Sequence, residues 1–109
     1  LTPPDLHSLR DDLALMQAMG FNGVRKHQKI EDPRFYYWAD VFGMLVWEEM
    51  PSFYEFTERS VEHFLSEWRE AISRDYNHPS VITWVPFNES WGLRNIYSSR
   101  QQQDFAASV

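Results

Sequence analysis

Polar side chains gather wherever an apolar run of this chain stops. Val81 to Val85 reads VITWV, a β-branched and aromatic run of strand length. Pro86 then ends ladder pairing, and Asn88 and Glu89 follow at the carboxyl end. Glu48 and Glu49 stand after Met44-Leu45-Val46-Trp47 in the same way, and Arg25-Lys26-His27 stand at the far end of Phe21 to Arg25. A Glu leaving an apolar strand suits general acid/base work, because burial disfavours its charged form and holds the proton near neutral pH. The plain alternatives are a Glu that closes a strand or pairs with Arg, an Asn that satisfies a turn, and an Arg in a surface ion pair.

The elements that must position these groups alternate. Thr2-Pro3-Pro4-Asp5 reads as a helix start, with Thr2 as cap. Leu6, Leu9, Leu13, Ala14 and Met16 share the apolar face, and Gly20 is the stop. Phe21 to Arg25 is a short strand, plausible because it lies between helices. Asp32-Pro33 opens the next helix, striped by Phe35, Trp38, Ala39 and Phe42 and closed by Gly43. Met44 to Trp47 is a strand, and Met50 to Phe56 an aromatic loop. Thr57 caps the clearest helix, which runs to about Arg74 with Val61, Phe64, Leu65, Trp68, Ala71 and Ile72 on one face. After the Val81–Val85 strand, 93–99 reads as loop and 101–109 as helix. Alternating helices and strands on short connections imply an α/β fold with parallel strands and right-handed crossovers. The continuous apolar character of Val81 to Val85 implies a strand covered on both faces.

Composition narrows the function. The chain has 109 residues, enough for one domain, and is 43% hydrophobic and 17% aromatic, which suits a packed core and not a disordered segment. A net charge of −6 disfavours nucleic acid, whose phosphates demand a basic face. No apolar run approaches the ~20 residues of a membrane span. There is no Cys, hence no thiolate ligand or thiol nucleophile. His7, His27, His63 and His78 lack the spacing of a paired metal motif, so no metal site is assigned. No Gly-rich phosphate loop or Ser nucleophile elbow is present.

The strand closing on Asn88-Glu89, preceded by Asn77-His78-Pro79-Ser80 and followed by Ser90-Trp91-Gly92, resembles glycoside hydrolase family 2. That family holds β-galactosidases, β-glucuronidases and β-mannosidases. The resemblance covers roughly Asp5 to Gly92. It implies about half of a (β/α)8 barrel, with strands two, three and four of the catalytic domain, since a whole barrel needs about 250 residues. It implies retaining hydrolysis of a β-glycoside, with Glu89 as general acid/base and Asn88 bonded to the sugar 2-hydroxyl. Arg25 corresponds to an Arg that supports the nucleophile carboxylate. Glu48 and Glu49 resemble the acidic pair after strand three, which could touch substrate or balance Arg25. His27 is a sugar-binding candidate, although the chain reads Arg25-Lys26-His27-Gln28 where many relatives carry Ser-His, so the His is shifted by one position. Trp91 is the candidate for stacking on a sugar face, whereas Trp38 and Trp68 sit on helix stripes and read as core.

The nucleophile of that family is a Glu at the end of strand seven, which this chain does not contain. The expectation is therefore a fragment of a glycosidase barrel, inactive by itself. Its open strand edges should drive self-association. A carbohydrate is the implied partner. No cofactor is identifiable; some relatives use cations, but no ligands for one can be assigned. The rival readings are another retaining glycosidase of the same clan, a barrel kept as a sugar-binding or scaffold protein, and an unrelated α/β interaction module.

Overall fold

A computed structural model describes residues 3–5 and 7–109. Thr2 and Leu6, expected as cap and face residue of the first helix, lie outside the described residues. The elements run α1 (Ser8–Ala18), β1 (Gly23–Lys26), α2 (Pro33–Phe42), β2 (Leu45–Glu49), α3 (Glu58–Asp75), β3 (Val81–Val85) and α4 (Arg100–Ser108). The strands form a three-stranded sheet in the order β1-β2-β3, both pairs parallel. This is the expected partial α/β barrel, with the three parallel strands that the sequence implied.

Helix α1 starts at Ser8, later than the Pro-Pro signal suggests. Asp5 Oδ1 accepts the His7 and Ser8 amides at 2.7 and 2.8 Å, doing the work of a cap. The other caps follow the sequence. Asp32 accepts Arg34 N ahead of Pro33, and Thr57 Oγ1 accepts Ser60 N.

Helices α1 and α2 end alike, and this shifts the strands behind them. After α1, Phe21 N–H donates to Met16 O and Gly20 N–H to Gln17 O; after α2, Met44 N–H donates to Ala39 O and Gly43 N–H to Asp40 O. Each is a Schellman turn, with glycine at φ +92° or +67° in the left-handed position. Phe21 and Met44 thus spend their amides closing helices. The strands begin later than expected, at Gly23 and Leu45, and β2 extends to take in Glu48 and Glu49. Only β3 has the expected bounds.

Two apolar clusters back the sheet. Leu13, Phe35, Tyr36, Ala39, Met44 and Val46 join α1 and α2 to the lower part of β2. Met50, Phe64, Trp68, Ala71, Leu93 and Phe105 join α3 and α4 to the loops beyond the strands. Within the second, Trp84 of β3 meets Trp68 edge-on at 5.8 Å, and Phe87 lies flat on Phe64 at 5.3 Å. Burying such a side chain is worth about 1.5–3 kcal/mol. These two contacts fix the backbone on either side of Pro86 and so aim Asn88.

The other face of the sheet is not covered, which corrects the expectation of strands buried on both sides. Leu45, Trp47 and Ile82 remain 41%, 46% and 52% exposed there. With Gly23 and Arg25 they line a shallow cavity of about 360 Å³. Helices pack against one side of the three strands, and among the described residues no second layer lies over the other.

Candidate active site

Three loops leave the carboxyl ends of β1, β2 and β3 on one side of the sheet, and the expected residues meet there. Strand pairing puts Arg25 beside Trp47 and Glu49 beside Val85. Arg25 then reaches across the strand ends. Its Nε donates to Glu49 Oε2 at 2.6 Å, and its Nη2 donates to Asn88 Oδ1 at 2.6 Å. One guanidinium therefore ties together the ends of all three strands. The amide oxygen of Asn88 faces the cation, which directs its NH2 group away from Arg25 and free to donate.

Glu49 is fully buried, and both its oxygens are engaged. Besides Arg25, Gln28 N–H donates to Oε1 at 3.0 Å, and His27 Nδ1 lies 3.1 Å from the same atom. Burial works against its charge, but Arg25, the Gln28 amide and His27 together outweigh burial and hold the carboxyl below its usual range. The Glu49 hydrogen bond is also the main cause holding the Arg25 guanidinium protonated, with Glu89 adding to it. His27 is 60% exposed and touches the network from its rim.

Glu89 and Ser90 both adopt left-handed backbone, at φ +50° and +57°. Each costs on the order of 1 kcal/mol for a residue with a Cβ, and such positions cluster where side-chain aim matters more than comfort. The turn is closed by Trp91 N–H to Asn88 O at 3.0 Å and Leu93 N–H to Ser90 O at 2.9 Å. Glu89 stands at the carboxyl rim of the sheet and is exposed. The burial expected for a proton donor is not supplied here, because three strands give the cleft a single wall. Glu89, Trp91 and Arg94 line a cavity of about 550 Å³.

Glu48 departs from expectation. It points to the helix side, opposite Arg25, and does not face the cleft. Neither of its oxygens has a hydrogen-bond partner. Burial first, then the nearby Asp75 carboxylate, push its carboxyl up to about 8. Asp75 is itself fully buried and accepts two bonds from Arg74, at 2.8 and 2.6 Å. His78 lies away from the strand ends, with Nδ1 2.6 Å from Asp40 Oδ2. Trp68 is core, and Trp38 packs against the first cluster.

Gln28 was not singled out by sequence reasoning. It adopts φ +48°, gives its amide to Glu49, and accepts Ser52 N–H on Oε1 at 3.1 Å. Only its place next to His27 hinted at this. Among the described residues no group of three or more His, Cys, Asp or Glu side chains is arranged to hold a metal ion. A larger cavity, about 820 Å³, lies along α3 between Arg74 and Lys29. It includes neither Asn88 nor Glu89, and the converging polar groups mark the smaller cleft as the candidate site.

The family described as "Glycosyl hydrolases family 2, TIM barrel domain" matches residues 4–107. The β-galactosidase of Thermoanaerobacterium thermosulfurigenes is 36% identical over 84 residues, 74% of this chain and 12% of its own length. The β-galactosidase of Photobacterium profundum is 32% identical over 88 residues, 72% of this chain and 8% of its own. The solved structure of Bacteroides uniformis β-glucuronidase 3 superposes with a TM-score of 0.74 at 28% identity, covering 80% of this chain and 12% of that one. The chain thus spans only about a tenth of the length of these relatives. By its sequence, its parallel strands and its fold, this chain belongs to the TIM barrel domain family of glycosyl hydrolases family 2.

Proposed function

We propose that this chain is part of the catalytic barrel of a retaining β-glycosidase, with Glu89 as its general acid/base. The observation that carries the reading is the Arg25 clamp. By holding Glu49 and Asn88 at once, it fixes the turn from which Glu89 projects over the carboxyl ends of the strands, the edge where barrel enzymes build their sites. In the first step Glu89 gives its proton to the departing glycosidic oxygen as a second carboxylate attacks the anomeric carbon. In the second step Glu89 takes a proton from the water that releases the sugar. The attacking carboxylate belongs to another part of the longer protein, at about 5–5.5 Å from Glu89 once the barrel is whole.

The free NH2 of Asn88 suits a sugar 2-hydroxyl, a bond that strengthens in the transition state. Arg25, held by Glu49, is oriented to support the attacking carboxylate. His27 at the rim and the half-exposed ring of Trp91 offer further contacts to the sugar. Without the second carboxylate the isolated chain is inactive, and its bare sheet face and open edges favour association with a second copy. The sugar is a β-galactoside or β-glucuronide, after the relatives. The test is turnover of β-galactosides and β-glucuronides of unactivated alcohols, which need the proton, by the full-length protein and its Glu89→Gln variant. Loss of turnover in the variant supports the reading; undiminished turnover in the variant rejects Glu89 as the proton donor, and none by the unaltered protein rejects the reading in favour of a sugar-binding homologue.

A further inference from the structure

The turn that carries Glu89 is held from both ends. On the near side Phe87 lies flat on Phe64, and Asn88 is tied to Arg25. On the far side stands Gly92. It is buried and adopts φ +85°, a backbone that a residue with a Cβ takes only under strain. A Cβ there would stand 2.7 Å from the Phe53 carbonyl oxygen, and 2.7 and 2.8 Å from two carbons of its ring. Carbon atoms in ordinary contact keep roughly 3.5 Å apart. The backbone after β3 is therefore seated directly on the loop after β2.

The surroundings of this seat resist displacement. The Phe53 ring packs among Phe56, Phe64 and Phe105, with centroids 6.3, 5.6 and 6.2 Å away. The carbonyl it presents is main chain. Leu93, next after Gly92, is 2% exposed and belongs to the same cluster. Between the two anchors Glu89, Ser90 and Trp91 are exposed, and Glu89 and Ser90 hold left-handed backbone. A shift forced at Gly92 is thus taken up where the chain is free, at Glu89 to Trp91.

We propose that Gly92 is a positioning residue for the acid/base carboxyl. Its close seat on Phe53, open only to a residue without a side chain, sets the reach of Glu89 toward the departing oxygen. This role rests on the glycosidase reading and adds to it a residue that touches neither substrate nor proton.

The test is kinetic, on the full-length protein carrying Gly92→Ala, with Gly20→Ala as control. Gly20 has φ +92° and nothing within 4 Å of an added Cβ, so alanine there meets similar backbone strain without the clash. It precedes β1, at the end of the sheet away from Glu89. Gly92→Ala loses about 10- to 100-fold in kcat/KM for β-glycosides of unactivated alcohols, the scale of a misplacement of up to about 1 Å in a reacting site. It loses less than about threefold for glycosides of strongly acidic phenols, which leave without a proton. In Gly20→Ala any fall is the same for both substrate classes. Phe53→Leu keeps the glycine but loosens its seat, and loses about three- to tenfold for the alcohols alone. It carries the test if circular dichroism shows that Gly92→Ala does not fold. An equal fall for both substrate classes, or no fall, in Gly92→Ala or in Phe53→Leu standing in for it, overturns the role of Gly92. Glu89→Gln, assayed alongside, separates the two failures. If it too does not discriminate between the classes, Glu89 is not the donor and the glycosidase reading fails; if it does, only the positioning role fails.

Discussion

Glu48 and Glu49 are consecutive on one strand, and both are shielded from solvent, yet they hold opposite electrostatic positions. Side chains alternate along a strand, so one must face the helices and the other the cleft. Glu49 meets a guanidinium, a backbone N–H and a histidine, and its charge is held. Glu48 meets no cationic hydrogen-bond donor and lies buried beside the Asp75 carboxylate, and its proton is held instead. Surrounding density matters as well. Glu49 is covered by its own partners beneath an open cleft, whereas Glu48 lies deep between the sheet and the helices. Burial alone therefore does not decide ionisation; the partners supplied by neighbouring strands do.

The same substitution at both positions tests this most severely. Glu49→Gln removes the charge that pins Arg25 and so loosens Asn88. Turnover by the full-length enzyme is expected to fall about a hundredfold, the scale of a small misplacement in a reacting site. Glu48→Gln should leave turnover within about twofold, because the side chain faces away from the cleft. Equal losses would erase the distinction.

Stability against pH sharpens the contrast. The folded-state carboxyl of Glu48 is raised to about 8, so its contribution is whole below the unfolded value near 4.5 and is lost as pH rises through about 8. The folded-state carboxyl of Glu49 is lowered, so its contribution is present above about 4.5 and is lost as pH falls through its folded value. Melting temperature between about pH 5 and pH 9 should therefore decline less steeply in Glu48→Gln than in the unaltered protein. Parallel profiles would show that Glu48 does not hold its proton.

A smaller effect separates backbone from side chain at Gln28. Gln28→Ala keeps the amide that bonds Glu49 and removes only the acceptor of Ser52 N–H. About 1 kcal/mol of stability should be lost in denaturant titration, with turnover much less affected than in Glu49→Gln. A loss of activity as large as that of Glu49→Gln would mean that the side chain, not the backbone, sets the carboxylate.

The alternation of elements, the Asp32 and Thr57 caps and the bounds of β3 were legible because each rests on local chemistry. The strand starts were misread because Phe21 and Met44 are apolar and look like strand residues, although their amides belong to Schellman turns. The meeting of Arg25 with Asn88 is a property of three strand ends in space, and neither the residues nor the resemblance paired them. Alternation required Glu48 and Glu49 to part, but which one faced the cleft depended on register, including an irregularity in the β2–β3 pairing at Val46 and Trp47. The exposed face of the sheet was invisible to an apolar pattern, which records a need for cover and not its source.

The central claim is that Glu89 gives the proton to the departing oxygen. The most direct measurement is the dependence of turnover on the leaving group in full-length Glu89→Ala. Glycosides of poor leaving groups, which need the proton, should lose about 10²- to 10⁴-fold in kcat/KM, while glycosides of strongly acidic phenols should lose far less. A uniform loss across leaving groups would contradict the assignment.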